Sequence, residues 1–447
     1  MSGPSKSGPA MSGHSMTPRM KPLSARRSAI LCVLDVGTSK IACIIARLMP
    51  AEPSDLLRGR THACRVLGIG HQRSRGLKGG VVVDMEEAEK AIRLAVDAAE
   101  RMAGAQAESV IVNLSGGRLG ATHLGAKVRI GGQAVTASDV HRVLEAAAAR
   151  TGQQGRTTLH ALPRSFSLDG APSIRDPKGM MGEELAATMT VVSCDSAPAR
   201  NLMLAIERCH LDIEAVVATP YAAGLAALVD DEAEMGSVVI DFGGGTTSIA
   251  CFENNRLSHV DAVAVGGSHV TMDIARGLTL RLTDAERLKT YYGACIASPS
   301  DERESIAVTQ VGDGEHTSHM PKSQLVRIIK PRVEEILELA RDRLAAVGYP
   351  PNAGQRFVLT GGASQLTGLA EAARRIFGGQ VRLGRPLGVK GLPESAKNPA
   401  FAAAIGLLVY PQVSGLEHFE PRRGPGFNIA GGEGYVGNVV RWLKSNF

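Results

Sequence analysis

The stretch Leu34-Asp35-Val36-Gly37-Thr38-Ser39-Lys40-Ile41-Ala42 is an apolar strand that ends in Asp, turns through Gly, Thr and Ser, and returns as a second apolar strand. The same order recurs in the second half of the chain as Ile240-Asp241-Phe242-Gly243-Gly244-Gly245-Thr246-Thr247-Ser248-Ile249-Ala250. Each copy reads as a β-hairpin with a polar, backbone-rich tip, and the pair reads as an internal duplication. One copy alone is equally well an ordinary hairpin whose Asp and Gly serve the turn. Two matched copies are not, because a structural turn has no reason to repeat both the Asp and the hydroxyl cluster.

The chemistry of such a tip suits phosphate. Gly37, Gly243, Gly244 and Gly245 let the backbone approach a ligand closely, and successive N–H groups with the hydroxyls of Thr38, Ser39, Thr246 and Thr247 can surround anionic oxygens. Asp35 and Asp241 would repel phosphate directly, so their task fits holding Mg²⁺ through its water shell. Lys40 can then neutralise a terminal phosphate. A third element, Phe357-Val358-Leu359-Thr360-Gly361-Gly362-Ala363-Ser364-Gln365, reads as a strand, a Gly-Gly junction and then a helix through Leu366, Leu369, Ala373 and Ile376. A flat base can lie against such bare backbone, although Gly-Gly before a helix is also a common tight connection. A fourth, Thr283-Asp284-Ala285-Glu286-Arg287-Leu288-Lys289-Thr290-Tyr291-Tyr292, places Glu286 and Lys289 on one helical face, where they could bracket a ribose or an adenine edge. The competing reading makes Thr283 and Glu286 a capping box and leaves Lys289 solvated.

Outward from these motifs, apolar runs such as Ile30-Leu31-Cys32-Val33-Leu34 alternate with Ala-rich helical spacing over 86–102 and 138–150, which predicts an α/β fold. At 447 residues and 44% hydrophobic content the chain can bury more than one core. A net charge of +6 with 21% charged residues is a modest basic excess rather than a nucleic-acid signature. The seven cysteines, Cys32, Cys43, Cys64, Cys194, Cys209, Cys251 and Cys295, lack a C-x-x-C pair and read as small core residues of a reducing compartment. No run of about 18 apolar residues is expected to span a bilayer, and the start of the chain lacks the apolar core of a secretion signal. Residues 1–28 read as a disordered tail and 411–433 as a linker after a helix ending near Tyr410. Whether 58–80 is core or loop stays open.

The last segment, 434–447, is patterned again. As a helix it places Val436, Val439, Val440, Leu443 and Phe447 on one face, with Arg441 and Lys444 toward the other and Trp442 at a flank. Such a helix is too short to cross a membrane and suits lying in the plane of an anionic surface, with the Trp at headgroup level. Docking of the same stripe on the protein's own body, or on a partner, is the alternative.

Taken in order, these elements resemble the actin-like ATPase superfamily (actin, Hsp70-type chaperones, sugar kinases), in which two related lobes close on a nucleotide. Over nearly all of 29–447 the chain more closely resembles the FtsA family of bacterial cell-division proteins. Beside the hairpins, the resemblance is carried by Val82-Val83-Asp84 and the helix through Glu100-Arg101-Met102-Ala103-Gly104, by Asn113-Leu114-Ser115-Gly116-Gly117, by Ile174-Arg175-Asp176-Pro177-Lys178-Gly179-Met180, and by Val439-Val440-Arg441-Trp442-Leu443-Lys444-Ser445-Asn446-Phe447. It implies four subdomains: 1A (29–84 and 161–215, with part of 395–410), an inserted 1C (85–160) replacing the usual small actin subdomain, 2A (216–265 and 349–394) and 2B (266–348), followed by the linker and a membrane-targeting helix. It implies ATP and Mg²⁺, with phosphate contacts from Asp35, Gly37, Thr38, Ser39, Lys40, Asp241, Gly243, Gly244, Gly245, Thr246 and Thr247, and adenosine contacts from Glu286, Lys289, Gly361, Gly362 and Gln365. It further implies self-polymerisation, tethering of FtsZ filaments to the inner face of the cytoplasmic membrane at the septum through anionic lipids, and recruitment of later division proteins, without nucleic acid. One departure bears on hydrolysis. Hsp70-type relatives carry an acidic residue before the Pro of Val216-Val217-Ala218-Thr219-Pro220-Tyr221, and a Thr there is no general base near neutral pH, so ATP turnover is expected to be slow at most.

Other readings of the same elements are a sugar kinase, an ATP-driven chaperone, or a pilus-assembly or plasmid-segregation relative. The first needs a catalytic Asp beyond Asp35 and Asp241. The second needs a substrate-binding domain that the few residues after Tyr410 do not supply.

Overall fold

The first hairpin, Ala29–Val36 with Lys40–Pro50, is buried almost throughout its facing segments rather than on alternate residues, as expected of strands covered on both sides. It lies in a six-stranded sheet ordered Asp212–Ala218, Ser109–Leu114, Ala29–Val36, Lys40–Pro50, His62–Arg73 and Val389–Lys390. Ser109–Leu114 runs parallel to both of its neighbours. The computed structural model describes residues 17–20, 23–24, 26–52, 56–57, 59–151, 154–311, 317–350 and 352–418.

The helix Met85–Ala103 starts at Asp84, whose side chain accepts from Glu87 N–H, and stops at Gly104 in the left-handed conformation. Its buried stripe of Ala88, Ala91, Ile92, Ala95, Val96 and Ala99 rests on the first sheet. Gly68 and Gly70 of the sheet leave no room for a side chain, since a Cβ there would lie 2.2 Å from Ala99 O and 2.1 Å from Ala95 O.

The second hairpin, Ser237–Phe242 with Thr247–Glu253, occupies the equivalent place in a nine-stranded sheet. There Arg356–Thr360 runs parallel to Ser237–Phe242, as Ser109–Leu114 does to Ala29–Val36. Behind this sheet, Gly267–Leu278, Leu282–Tyr292, Lys322–Ala346 and Leu369–Phe377 bury a core around Phe242, Ile336 and Phe357. Between the lobes, the helices Thr219–Ala227 and Ala402–Val413 contribute to one continuous core with both sheets. They touch so closely that a Cβ on Gly406 would lie 1.7 Å from Ala222 O.

Several boundaries differ from the expected ones. The insertion does not start at 85: Met85–Ala103 and Ser109–Leu114 belong to the first lobe, whose sheet needs the parallel strand beside Ala29–Val36. The separate layer consists of Gly120–Arg129, Glu184–Asp195, Arg156–Leu168 and Ala171–Ile174 with the helix Ala137–Ala148, around its own core of Val143, Leu144, Phe166 and Met189. So 161–195, expected in subdomain 1A, is insert, and the layer joins the second sheet through one bridge, Asp261 with Gly120. The stretch left open at 58–80 contains the core strand His62–Arg73. The tail expected to 28 is anchored from residue 17, where Thr17 Oγ1 donates to Thr158 O at 3.2 Å and Met20 and Leu23 pack on the core. The last described helix runs through Pro411 to Val413 and is followed by the turn Ser414–Leu416, so the linker does not begin at 411. Contrary to expectation, Pro399–Leu416 is long and apolar enough to cross a membrane, with mean hydropathy 1.4, but 67% of it is buried inside the protein, where it serves as the central core helix. Six of the seven cysteines are buried and all are free thiols. The segment 434–447 lies outside the described residues.

Gly406→Ala is expected to destabilise the fold by about 3 kcal/mol, because the methyl group must push two core helices apart. Thermal denaturation of the nucleotide-free protein measures it.

Candidate functional site

The two hairpin tips are built alike. Gly37 N–H donates to Lys40 O at 3.0 Å, and Gly243 N–H donates to Thr246 O at 3.0 Å. In each, a Cβ on the turn glycine would lie 2.9 Å from that same carbonyl. The strand registers match too, with Asp35 opposite Ala42 and Asp241 opposite Ser248. The tips face each other: a Cβ on Gly244 would lie 2.9 Å from Ser39 Oγ, and one on Gly245 would lie 2.5 Å from Thr38 Oγ1.

Both Asp side chains are buried, and each is held by a polar side chain at the end of the neighbouring parallel strand. Asn113 Nδ2 donates to Asp35 Oδ1 at 2.6 Å, while its Oδ1 accepts from Val36 N–H at 2.7 Å. Thr360 Oγ1 donates to Asp241 Oδ1 at 3.1 Å. Burial and the neighbouring charge of Asp35 push the Asp241 carboxyl up to about 6, against the smaller opposing pull of Thr360 and Lys40. Two carboxylates are therefore held close in a poorly hydrated place. That arrangement fits a hydrated divalent cation, which would relieve the repulsion while taking further oxygens from water and phosphate. Among the described residues there is no group of three or more His, Cys, Asp or Glu that could hold a bare ion. Lys40 Nζ lies 3.5 Å from Asp35 Oδ2, donates to Ala400 O at 2.5 Å and sits 4.1 Å from the centre of the Phe401 ring.

Beside the tips opens a cavity of about 450 Å³ that gathers Ser39, Gly244, Glu286, Lys289, Gly362 and Gln365 from both lobes. Lys289 Nζ donates to Glu286 Oε2 at 2.7 Å, to the Thr271 hydroxyl at 2.8 Å and to Gly267 O at 3.1 Å. Lys289 is thus an enclosed, fixed cation and not a solvated one. No capping box forms either, because the helix starts at Leu282, with Arg281 as N-cap, and Glu286 turns instead toward Thr271 and Lys289. Gly361, at φ +83°, has no space for a side chain, since a Cβ would lie 2.5 Å from Phe242 O. The junction differs from the expected strand-to-helix step: Gly362–Gln365 is a single 3₁₀ turn, and the α-helix starts only at Leu369.

Of the residues singled out from sequence, Asp35, Asp241, Lys40, Thr38, Ser39, Gly244 and Gly245 come together at the tips. Thr247 turns away, its hydroxyl donating to Val265 O at 2.8 Å. Thr219 is buried and accepts from Asn113 Nδ2 at 3.1 Å, one hydrogen bond removed from Asp35. Sequence reasoning missed Asn113 and Thr360 as carboxylate partners, although each precedes a Gly-rich pair, in Asn113-Leu114-Ser115-Gly116-Gly117 and Thr360-Gly361-Gly362. It also missed Gly267 and Ser268, whose N–H groups at the start of a helix donate to Gly243 O and Gly244 O at 2.9 and 2.7 Å and fix the second tip.

A family model described as Cell division protein FtsA matches residues 238–406, and one described as SHS2 domain inserted in FTSA matches 116–193, the range of the insert seen here. The chain is similar to the Cell division protein FtsA of Agrobacterium fabrum (strain C58), at 50% identity over 438 residues, covering 98% of this chain and 99% of the relative. It is similar to that of Pseudomonas aeruginosa at 31% identity, covering 95% and 100%, and to that of Escherichia coli (strain K12) at 32%, covering 86% and 90%. Among solved structures, the PilM-PilN type IV pilus biogenesis complex shares the fold, with TM-score 0.56 and 17% identity over 86% of this chain and 98% of that one.

Because the folded Asp241 carboxyl titrates near 6 rather than at the ordinary 3.8, it is neutral when folded at low pH, and its full contribution to stability is present only below about 3.8. As pH rises through about 6, the metal-free protein should lose on the order of 3 kcal/mol from this group. Denaturation in chelator between pH 4.5 and 7.5 should show that decline, and Asp241→Asn should flatten it. Asn113→Ala, which strips Asp35 and Val36 N–H of a buried partner, should cost about 2 kcal/mol in the same assay.

Proposed function

Because the chain belongs to the FtsA family of cell-division proteins and has their actin-like fold, we propose that it binds ATP with Mg²⁺ between its lobes. On this reading ATP switches its self-assembly, and the polymer tethers FtsZ filaments to the inner face of the cytoplasmic membrane at the septum and recruits later division proteins. The observation that carries the nucleotide reading is the meeting of two matched Asp-tipped hairpins beside a cavity lined from both lobes.

The tip N–H groups of 38–40 and 244–246, with Ser39, would surround the phosphates. Lys40, which donates to the Ala400 carbonyl here, would turn to the terminal phosphate. Asp35 and Asp241 would hold Mg²⁺ through its waters, and the ion would supply neutralisation of phosphate charge. The base and ribose would be held in the 450 Å³ cavity by Gly362, Gln365 and the Glu286–Lys289 pair, which line it, with Gly361 shaping the turn behind. Thr219 stands where an acid would orient water. Its hydroxyl is already engaged by Asn113 and has no proton affinity to act as a base near pH 7, so turnover is slow and the bound nucleotide is long-lived.

Attachment to the membrane is assigned to 434–447, with Val436, Val439, Val440, Leu443 and Phe447 entering the acyl boundary, Trp442 at headgroup level and Arg441 and Lys444 on anionic lipid. A single such segment binds weakly. Polymerisation presents many at once, so assembly and membrane binding reinforce each other through avidity.

A side chain at Gly362 would enter the cavity, because its Cβ meets only Ala400 Cβ, at 3.7 Å. Gly362→Val is therefore expected to keep the melting temperature of the apo-protein and to weaken ATP binding at least about tenfold, near 1.4 kcal/mol, by calorimetric titration. Removing residues after Glu433, or Trp442→Glu, should release the protein from anionic liposomes in flotation; undiminished flotation of both variants would overturn the membrane assignment.

A further inference from the structure

An apolar trough runs along the joint between the insert and the body, and nothing in the proposed function uses it. One cavity of about 500 Å³ lies between Val140 and Leu144 of the insert's helix and Tyr221 and Phe252 of the body. A second of about 460 Å³ shares Leu225, Phe252, Val413 and Leu416 with it, so the two are continuous. Leu416 on its wall is 57% exposed, an apolar side chain left in water at the rim of an apolar recess.

The described chain leaves from this trough. Leu416 and His418 both line it, and the exit is pinned: Glu417 is buried against His160, Nδ1 to Oε1 at 2.8 Å, and His418 N–H donates to Ala161 O at 2.9 Å. Between that point and the amphipathic segment lie only residues 419–433. Fifteen residues reach at most about 50 Å. They would hold the segment near the trough at a millimolar effective concentration.

We infer that residues 434–447 of the same molecule occupy this trough whenever no membrane is present, seating their apolar side on it and leaving Arg441 and Lys444 to solvent. Trough and membrane compete for one apolar face, so the dilute monomer is closed and the assembled, membrane-bound chain is open. The inference rests on reading 434–447 as an amphipathic membrane segment.

Trp442 is the chain's single tryptophan, so its fluorescence reports this segment alone. In the lipid-free full chain at low concentration, emission should be blue-shifted from that of N-acetyltryptophanamide and protected from acrylamide, independently of protein concentration. Leu416→Asp, at an exposed position, should shift the emission to the solvent value and raise binding to phosphatidylglycerol vesicles several-fold at fixed lipid. Val140→Asp, on the opposite wall, should do the same. Trp442 as exposed as the free compound, protection that appears only as concentration rises, or protection unmoved by both variants would each overturn the inference. The two ideas fail separately: a protected Trp442 on a chain that ignores vesicles sinks the membrane reading, and an exposed Trp442 on a chain that binds them sinks only the docking.

Discussion

Two carboxylates, Asp35 and Asp241, are buried where the lobes meet, and the charge of the first raises the proton affinity of the second. Like charges so placed push the lobes apart unless something answers them. The protein answers in part, with Asn113 on one side, Thr360 on the other and Lys40 across the tip. A hydrated cation with a polyphosphate would complete the answer. On the proposed reading, the energy of closing the lobes would depend on what lies between them, as a nucleotide switch requires.

The repulsion matters only because the frame beneath it is stiff. Thr219–Ala227 and Ala402–Val413 touch backbone to side-chain-free backbone at Gly406 and Ala222, and little sliding is open to them. From this frame hydrogen bonds run in two directions. Thr219 reaches Asn113 and through it Asp35. One residue earlier, Ala218 N–H donates to His160 Nε2 at 2.9 Å, which leaves the proton on Nδ1 to meet Glu417. The Asp35 edge of the site and the end of the described chain at Glu417 are therefore joined through the adjacent residues Ala218 and Thr219.

The insert shows what pattern reading missed. Each layer carries an Ala-rich helix, Met85–Ala103 or Ala137–Ala148, and by pattern alone Met85–Ala103 could have belonged to either. Which layer owns it is settled by Gly68 and Gly70, whose missing side chains admit that helix onto the first sheet, and by the vacancy beside Ala29–Val36 that only Ser109–Leu114 fills in parallel. Both are contacts between segments remote in sequence, and no local period records them.

What the sequence determined by itself was the repeat: two strand-Asp-turn-strand units, an α/β alternation and a glycine pair, because turn chemistry and strand burial are written within a few residues. It showed that Asp35 and Asp241 were equivalent. Tertiary structure alone decided that their tips oppose one another, that Asn113 and Thr360 hold the carboxylates, that Lys289 is enclosed by Thr271 and Gly267, and that the apolar run Pro399–Leu416 is a core helix within the protein. Each of these depends on distance in space between parts of the chain far apart along it, and a charge or an apolar surface acquires its energy only from what stands beside it.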